Sequence, residues 1–269
     1  MENFNIKRFG YTLKWLFCEQ RGRLLAWTAG LAVGLFAIQS LFLWMTVAHV
    51  SGMKLNSEIV IPICAPMTFI TALVALFLAF CQIFSTLKTK QKRIAFLTLP
   101  ATNLERYLAA LIMAVVVWGI FILLAVILGD TLRMVFFGIL GKGWVSGVSS
   151  FFSFNNHHLT GWAKVMNCAY TISVWLWSCS FYVLGGTWFR KREFLFTTLA
   201  QIVLVTGAVW LCAQFGSNFF EDSDMIVKNI NVFSYIVIFG LLGLSLLNFW
   251  GSYQIFKRFQ IITSKWTNI

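Results

Sequence analysis

The chain has 269 residues, 59% of them hydrophobic and 11% charged, with a mean hydropathy of +0.79. Soluble domains run at about 45–50% apolar and about 25% charged residues, so a water-soluble fold of this length is excluded. The net charge of +12 would suit an anionic partner such as nucleic acid if the basic residues formed one solvated face.

Residues 1–23 interleave Lys7, Arg8, Lys14, Arg21 and Arg23 with Phe4, Phe9, Tyr11, Trp15 and Phe17 at near-helical spacing. That pattern predicts an N-terminal interfacial helix along the inner leaflet, with Phe4, Lys7, Arg8, Tyr11, Lys14 and Trp15 at the membrane surface. The apolar run that follows exceeds the roughly 7–15 residues of a cleaved signal's hydrophobic region, so it reads as an uncleaved first span.

A helix needs about 20 apolar residues to cross the hydrocarbon core. Six segments meet that length: 24–47, 59–84, 104–128, 164–187, 194–215 and 232–255. The expected fold is therefore all-α, a single transmembrane domain over 1–269 with six helices. The connections are a structured loop at 85–103, a longer Gly-, Ser- and aromatic-rich loop at 129–163, a tight basic turn at 188–193, a short acidic loop at 216–231 and a tail at 256–269.

Lysine and arginine counts set the orientation. With both termini cytoplasmic, 16 of the 21 basic residues lie inside, and only Lys54, Arg133, Lys142, Lys164 and Lys228 lie outside. The acidic residues divide four inside and five outside, so the whole net charge falls on the cytoplasmic side. This asymmetry accounts for the basic composition as topology, and no nucleic-acid partner is expected.

The chain has no GxxxxGK[ST] phosphate loop, no HExxH and no GxSxG, so no catalysis, no metal and no bound nucleotide are expected of it. The spans carry no central carboxylate, which disfavours proton-coupled transport. They do hold Gln39, Gln201 and Asn248, amides of the kind that bond between helices. Gly30 and Gly34 form a GxxxG in the first span; the motif marks either an intrachain packing groove or a dimer face. The fourth span is the most polar. Its Asn167, Thr171 and Ser178 form a stripe that either lines a pathway or packs against a neighbouring helix. The paired His157 and His158 read as part of a solvated loop.

The most informative stretch runs from Lys88 to Leu108. Pro100 should break the chain after an apolar patch, and Thr102 to Glu105 spells a capping box that starts the next helix. Ahead of the proline, Ile94, Phe96, Leu97 and Leu99 are expected on the cytoplasmic face. Apolar residues held there suit either a docking surface or immersion in the inner leaflet.

Leu99-Pro100-Ala101-Thr102-Asn103-Leu104-Glu105-Arg106 resembles the LP-(A/S)-(S/T)-x-x-E-(K/R) segment after the second span of ABC-transporter permeases of the type-2 exporter class. The exit from the last span, with Tyr253 and then Phe256-Lys257-Arg258, is similar to theirs, as is the six-span layout. The resemblance implies a dimer or paired permease in a bacterial cytoplasmic membrane, among membrane lipid. Its energy would come from a separate ATP-binding subunit carrying ATP and Mg. It implies that Ile94, Phe96, Leu97, Leu99, Pro100, Thr102 and Glu105 contact that subunit. The short 216–231 loop departs from the re-entrant helices common in the class. A membrane anchor or sensor that recruits a cytoplasmic partner through the same loop is the competing expectation.

Overall fold

The computed structural model describes residues 4–48, 55–84, 90–147, 161–189, 192–216 and 223–258. Among them the elements are helical: α1 (Ile6–Ala48), α2 (Ser57–Cys81), α3 (Lys90–Leu97), α4 (Asn103–Ile112), a π-helical turn (Met113–Val117), α5 (Trp118–Ile139), α6 (Trp162–Trp188), α7 (Glu193–Gly216) and α8 (Ser223–Lys257). Six stretches are long and apolar enough to cross a membrane, with α4, the π-turn and α5 forming one of them. The chain is thus built as a polytopic membrane protein. Residues 85–89, 148–160 and 259–269, with Lys88, His157 and His158, lie outside the described residues.

Three expected boundaries shift, the first two for a visible physical reason. No break separates an interfacial helix from the first span, because α1 runs through all 43 residues from Ile6 to Ala48. Asn5 caps it through its side-chain oxygen, which accepts from Lys7 N at 2.9 Å. Thr12, Leu16, Gln20 and Leu24 are all buried. Their four-residue spacing makes one continuous inward stripe across the expected junction. At 1.5 Å per residue α1 is about 64 Å long, roughly twice the hydrocarbon thickness.

The third span does not stop at 128 but runs on to Ile139, absorbing Asp130 and Arg133 into α5. These two residues, three apart on one helix face, neutralise each other. The last helix begins at Ser223 and so takes in much of the expected 216–231 loop.

The chain groups into two compact units. Unit 1 comprises 1–79 and 108–155, and unit 2 comprises 80–107 and 156–269.

In unit 1, α5 packs along α1. Gly129 allows the approach: a Cβ there would lie 3.0 Å from both the Ala32 carbonyl oxygen and the Leu35 Cβ. Trp27 meets Trp118 edge-on at 5.9 Å. The Trp118 indole donates to the Gln20 Oε1 at 3.3 Å. Gln39 donates to the Thr68 hydroxyl at 2.9 Å, joining α1 to α2.

At the C-terminal end of α5, Leu43, Leu55, Val60, Cys64 and Phe137 form a buried cluster, with Val145 packed on it. Asp130 organises this end. It accepts from Arg133 Nη2 at 2.6 Å and Nε at 3.2 Å, from the Ser146 hydroxyl at 2.7 Å and from Gly147 N at 3.1 Å. Arg133 also donates to the Val145 carbonyl at 2.8 Å. The segment after α5 is therefore folded back and fixed. Gly141 and Gly143, at φ +70 and +119, make the reversal that residues with a Cβ would resist. Gly143 lies against the Leu55 carbonyl.

In unit 2, α6 packs along α8 and against α7. Asn248 donates to the Ser180 hydroxyl at 3.1 Å, and Gln201 to the Ser178 hydroxyl at 3.2 Å. All three mid-span amides thus bridge helices, as the sequence reading expects. The Tyr182 and Thr198 hydroxyls pair at 3.1 Å. Gly185 and Gly186 leave room for Thr197 and for the Cys81 backbone, respectively.

Asp130→Asn keeps the shape of the acceptor but leaves the Arg133 charge buried and unpaired. Breaking a buried pair in this way costs about 3–5 kcal/mol. We expect a clear drop in thermal unfolding temperature in detergent, followed by tryptophan fluorescence. Replacing both partners with apolar residues, Asp130→Leu with Arg133→Met, should restore most of it. A single variant as stable as wild type would show that the pair does not hold this end together.

Candidate functional site

The candidate site is the Lys90–Arg106 segment, assembled from local rules. In α3 the last turn is closed by Thr98 N donating to the Ile94 carbonyl at 2.9 Å, and the Thr98 hydroxyl donates to the Ala95 carbonyl at 3.1 Å. Ala101 N then donates to the Leu99 carbonyl at 2.8 Å, a γ-turn centred on Pro100. Proline's fixed φ near −65° suits that turn.

The next helix starts with the expected capping box. Thr102 N donates to Glu105 Oε2 at 2.8 Å, and Glu105 N donates to the Thr102 hydroxyl at 3.3 Å. Each satisfies a backbone donor that the helix start would otherwise leave open. Arg106 reaches back over the turn, its Nη2 donating to the Leu99 carbonyl at 2.5 Å and its Nη1 to Asn103 Oδ1 at 3.4 Å. The turn is thereby tied at both ends.

Beneath it lies an aromatic floor within unit 2. Phe84 stacks on Phe256 at 4.9 Å, and Phe96 meets Phe256 edge-on at 6.4 Å. Tyr107 packs against Phe84 at 6.1 Å, Tyr253 at 5.4 Å and Phe256 at 5.8 Å. The Tyr107 hydroxyl donates to the Phe249 carbonyl at 3.3 Å.

The seven residues expected to share one contact surface divide. Ile94, at 41% exposure, and Pro100 are exposed, while Leu97, Leu99 and Thr102 are half-buried. Phe96 and Glu105 are fully buried, both at 0%. Phe96 is therefore not displayed, because α3 turns it onto the Phe256 ring. Glu105 is consumed by the capping box. The free face of the segment is made instead by Ile94, Ala95, Thr98, Pro100, Asn103 and Leu104.

The other expected residues also separate. Phe4, just before α1, and Lys7, Tyr11 and Lys14 on it are exposed, and Arg8 and Trp15 are half-buried. Gly30 is exposed and Gly34 half-buried, and a Cβ at either would meet nothing within 4 Å. The GxxxG is therefore not the groove that brings helices together in unit 1; Gly129 serves there. In α6, Asn167 and Thr171 are exposed, while Ser178 is buried and bonded to Gln201. In unit 1, Leu31, Leu35, Ala72, Ala75 and Ala125 line a shallow apolar crevice.

The sequence reading missed the anchoring role of Phe84, Tyr107, Tyr253 and Phe256. The signal was present as an aromatic at each foot of the loop and two more, three apart, at the exit of the last span. Asp130 and Arg133 belong to α5 and not to the expected 129–163 loop, and their D-x-x-R spacing in an apolar run is the signal of a helical ion pair. No protein-family model, no curated protein and no solved structure matches this chain.

Removing the cap tests how the turn is held. Thr102→Ala should lower stability by about 1 kcal/mol, the usual cost of a lost N-cap. Glu105→Ala should cost more, because it also empties a buried position. The double variant should be little worse than Glu105→Ala alone, since the two side chains share one motif. Additive losses in detergent unfolding would show that they act independently.

Proposed function

We propose that this chain is the permease subunit of an ATP-binding-cassette transporter, of the exporter kind, in a bacterial cytoplasmic membrane. On this reading both termini and the Lys90–Arg106 segment are cytoplasmic. The chain works as a dimer or with a second permease, and a separate ATPase subunit binds ATP and Mg.

The observation that carries the reading is the build of the segment. A part that receives force must be stiff and must present a contact. Here a short helix is closed by Thr98, a proline turn is tied by Arg106, and a capping box fixes the next helix. The free face carries two large exposed aliphatic side chains, Ile94 on α3 and Leu104 at the start of α4, among smaller residues. Such a face fits into a groove on a partner, where a few buried anchors supply much of the binding energy. The LPATNLER motif, which resembles the coupling region of type-2 exporters, occupies this segment.

The anchor or sensor reading draws on a different observation. Ser178, the deepest member of the expected pathway stripe, is bonded to Gln201 and packs between helices. A recruiting anchor needs no pathway and would use the same Ile94 face.

The two readings separate in one experiment. A tagged chain is purified from its native membrane in mild detergent, and its companions are identified by mass spectrometry. The permease reading expects an ABC ATPase at stoichiometric level. Ile94→Asp should weaken that association at least about tenfold, a loss of about 1.4 kcal/mol, while the chain remains folded because the site is exposed. Phe96→Asp is not an equivalent test, since it places a charge in the aromatic floor. Recovery of a non-ATPase protein in place of an ABC ATPase would overturn the permease reading in favour of the anchor.

A further inference from the structure

We infer that Phe256 is a positioning residue that fastens the Lys90–Arg106 segment to the end of α8, so that a force on the segment is delivered to the last helix. The functional half of this inference rests on the permease reading; the mechanical half does not.

Phe249, Tyr253 and Phe256 follow one another at four- and three-residue spacing, which places them on one face of α8. Three residues from separate parts of the chain meet that face. Phe84 precedes the segment and stacks on Phe256; Phe96 lies within it and meets the same ring edge-on. Tyr107 follows it and touches Tyr253 and Phe256, while its hydroxyl bonds the Phe249 carbonyl. The segment is thus gripped before, in the middle and after, and the Phe256 ring takes part in all three grips. Phe256 itself is buried.

Covalent continuity alone would make α2 and α5 the helices that feel a push on this segment. The aromatic contacts add α8 to them. From there the connection continues inside unit 2: Asn248, one turn before Ser252, bonds the Ser180 hydroxyl of α6. Leu184 of α6 lies beside Gly251. A displaced segment would carry α8, and with it α6.

The test uses the purified full-length chain in detergent and reads trypsin cleavage at Lys90, Lys92 and Arg93. Phe256→Ala should raise the cleavage rate there about tenfold, with other sites unchanged, because the segment opens locally without global unfolding. Phe256→Tyr keeps the ring and should cleave at the wild-type rate. With the ABC ATPase present, Phe256→Ala should still bind it through the Ile94 face but lose the stimulation of ATP hydrolysis, and Phe256→Tyr should keep both. Unchanged cleavage in Phe256→Ala would overturn the grip. Full stimulation with a loosened segment would overturn the transmission. If the wild-type chain recruits no ATPase, the permease reading fails while the cleavage result still decides the grip. Should Phe256→Ala not fold, Phe256→Leu keeps the apolar volume but not the ring; a wild-type cleavage rate in that variant overturns the proposal.

Discussion

A polar group inside a membrane-crossing helix has no water to bond, so another protein group must satisfy it. That constraint arranges both units of this chain. Each mid-span amide finds a hydroxyl on a neighbouring helix: Gln39 on Thr68, Gln201 on Ser178, Asn248 on Ser180. Lipid offers little hydrophobic drive for helices to associate, so these bonds and the close approaches at Gly129, Gly185 and Gly186 fix which helices are neighbours and in what register. Asp130 is the extreme case. A carboxylate in this setting is tolerable only when its charge and its lone pairs are both met, and Arg133, Ser146 and Gly147 meet them. In doing so they fold the following segment back over Cys64.

The Lys90–Arg106 segment solves a different problem, that of keeping a loop rigid. Isolated helices as short as the eight-residue α3 are unstable in water, because nucleation is costly. Tertiary contact has to supply the difference. Here Phe96 is the contact, and its burial removes from the surface the largest apolar group that the sequence offers there. Rigidity and display compete for the same few side chains, and within α3 the division between Phe96, inward, and Ile94, outward, settles that competition.

Much of this was legible in the sequence, for identifiable reasons. The six spans follow from apolar run length, and the capping box from a four-residue motif whose two bonds are local. The interhelical amides follow because a buried amide must bond something. What was not legible depended on pairings that single residues do not announce, some local and some distant along the chain. The first helix continues through residue 23 because Leu16, Gln20 and Leu24 share a stripe that packs within unit 1; the charges around Arg21 suggested a boundary. The third span continues past 128 because Arg133 neutralises Asp130, a local compensation that the three-residue spacing signals but that counting each charge alone hides. Phe96 faced the wrong way in the sequence reading because an eight-residue amphipathic helix can turn either face inward, and the choice was made by Phe256, 160 positions away.

The way the segment is held bears on the choice between a permease and an anchor. An anchor needs only an adhesive face, and a loosely tethered peptide displaying Ile94 would serve it. Nothing in that role calls for tying the segment to a helix other than those it connects. A permease needs the contact to be the end of a lever. Its segment must resist deformation, so that a push moves helices instead of bending the loop. The γ-turn at Pro100, the Arg106 strap and the three-point grip on Phe256 all oppose bending. The stiffness is more than display requires and is of the kind that transmission requires, which is why the permease is the reading we favour.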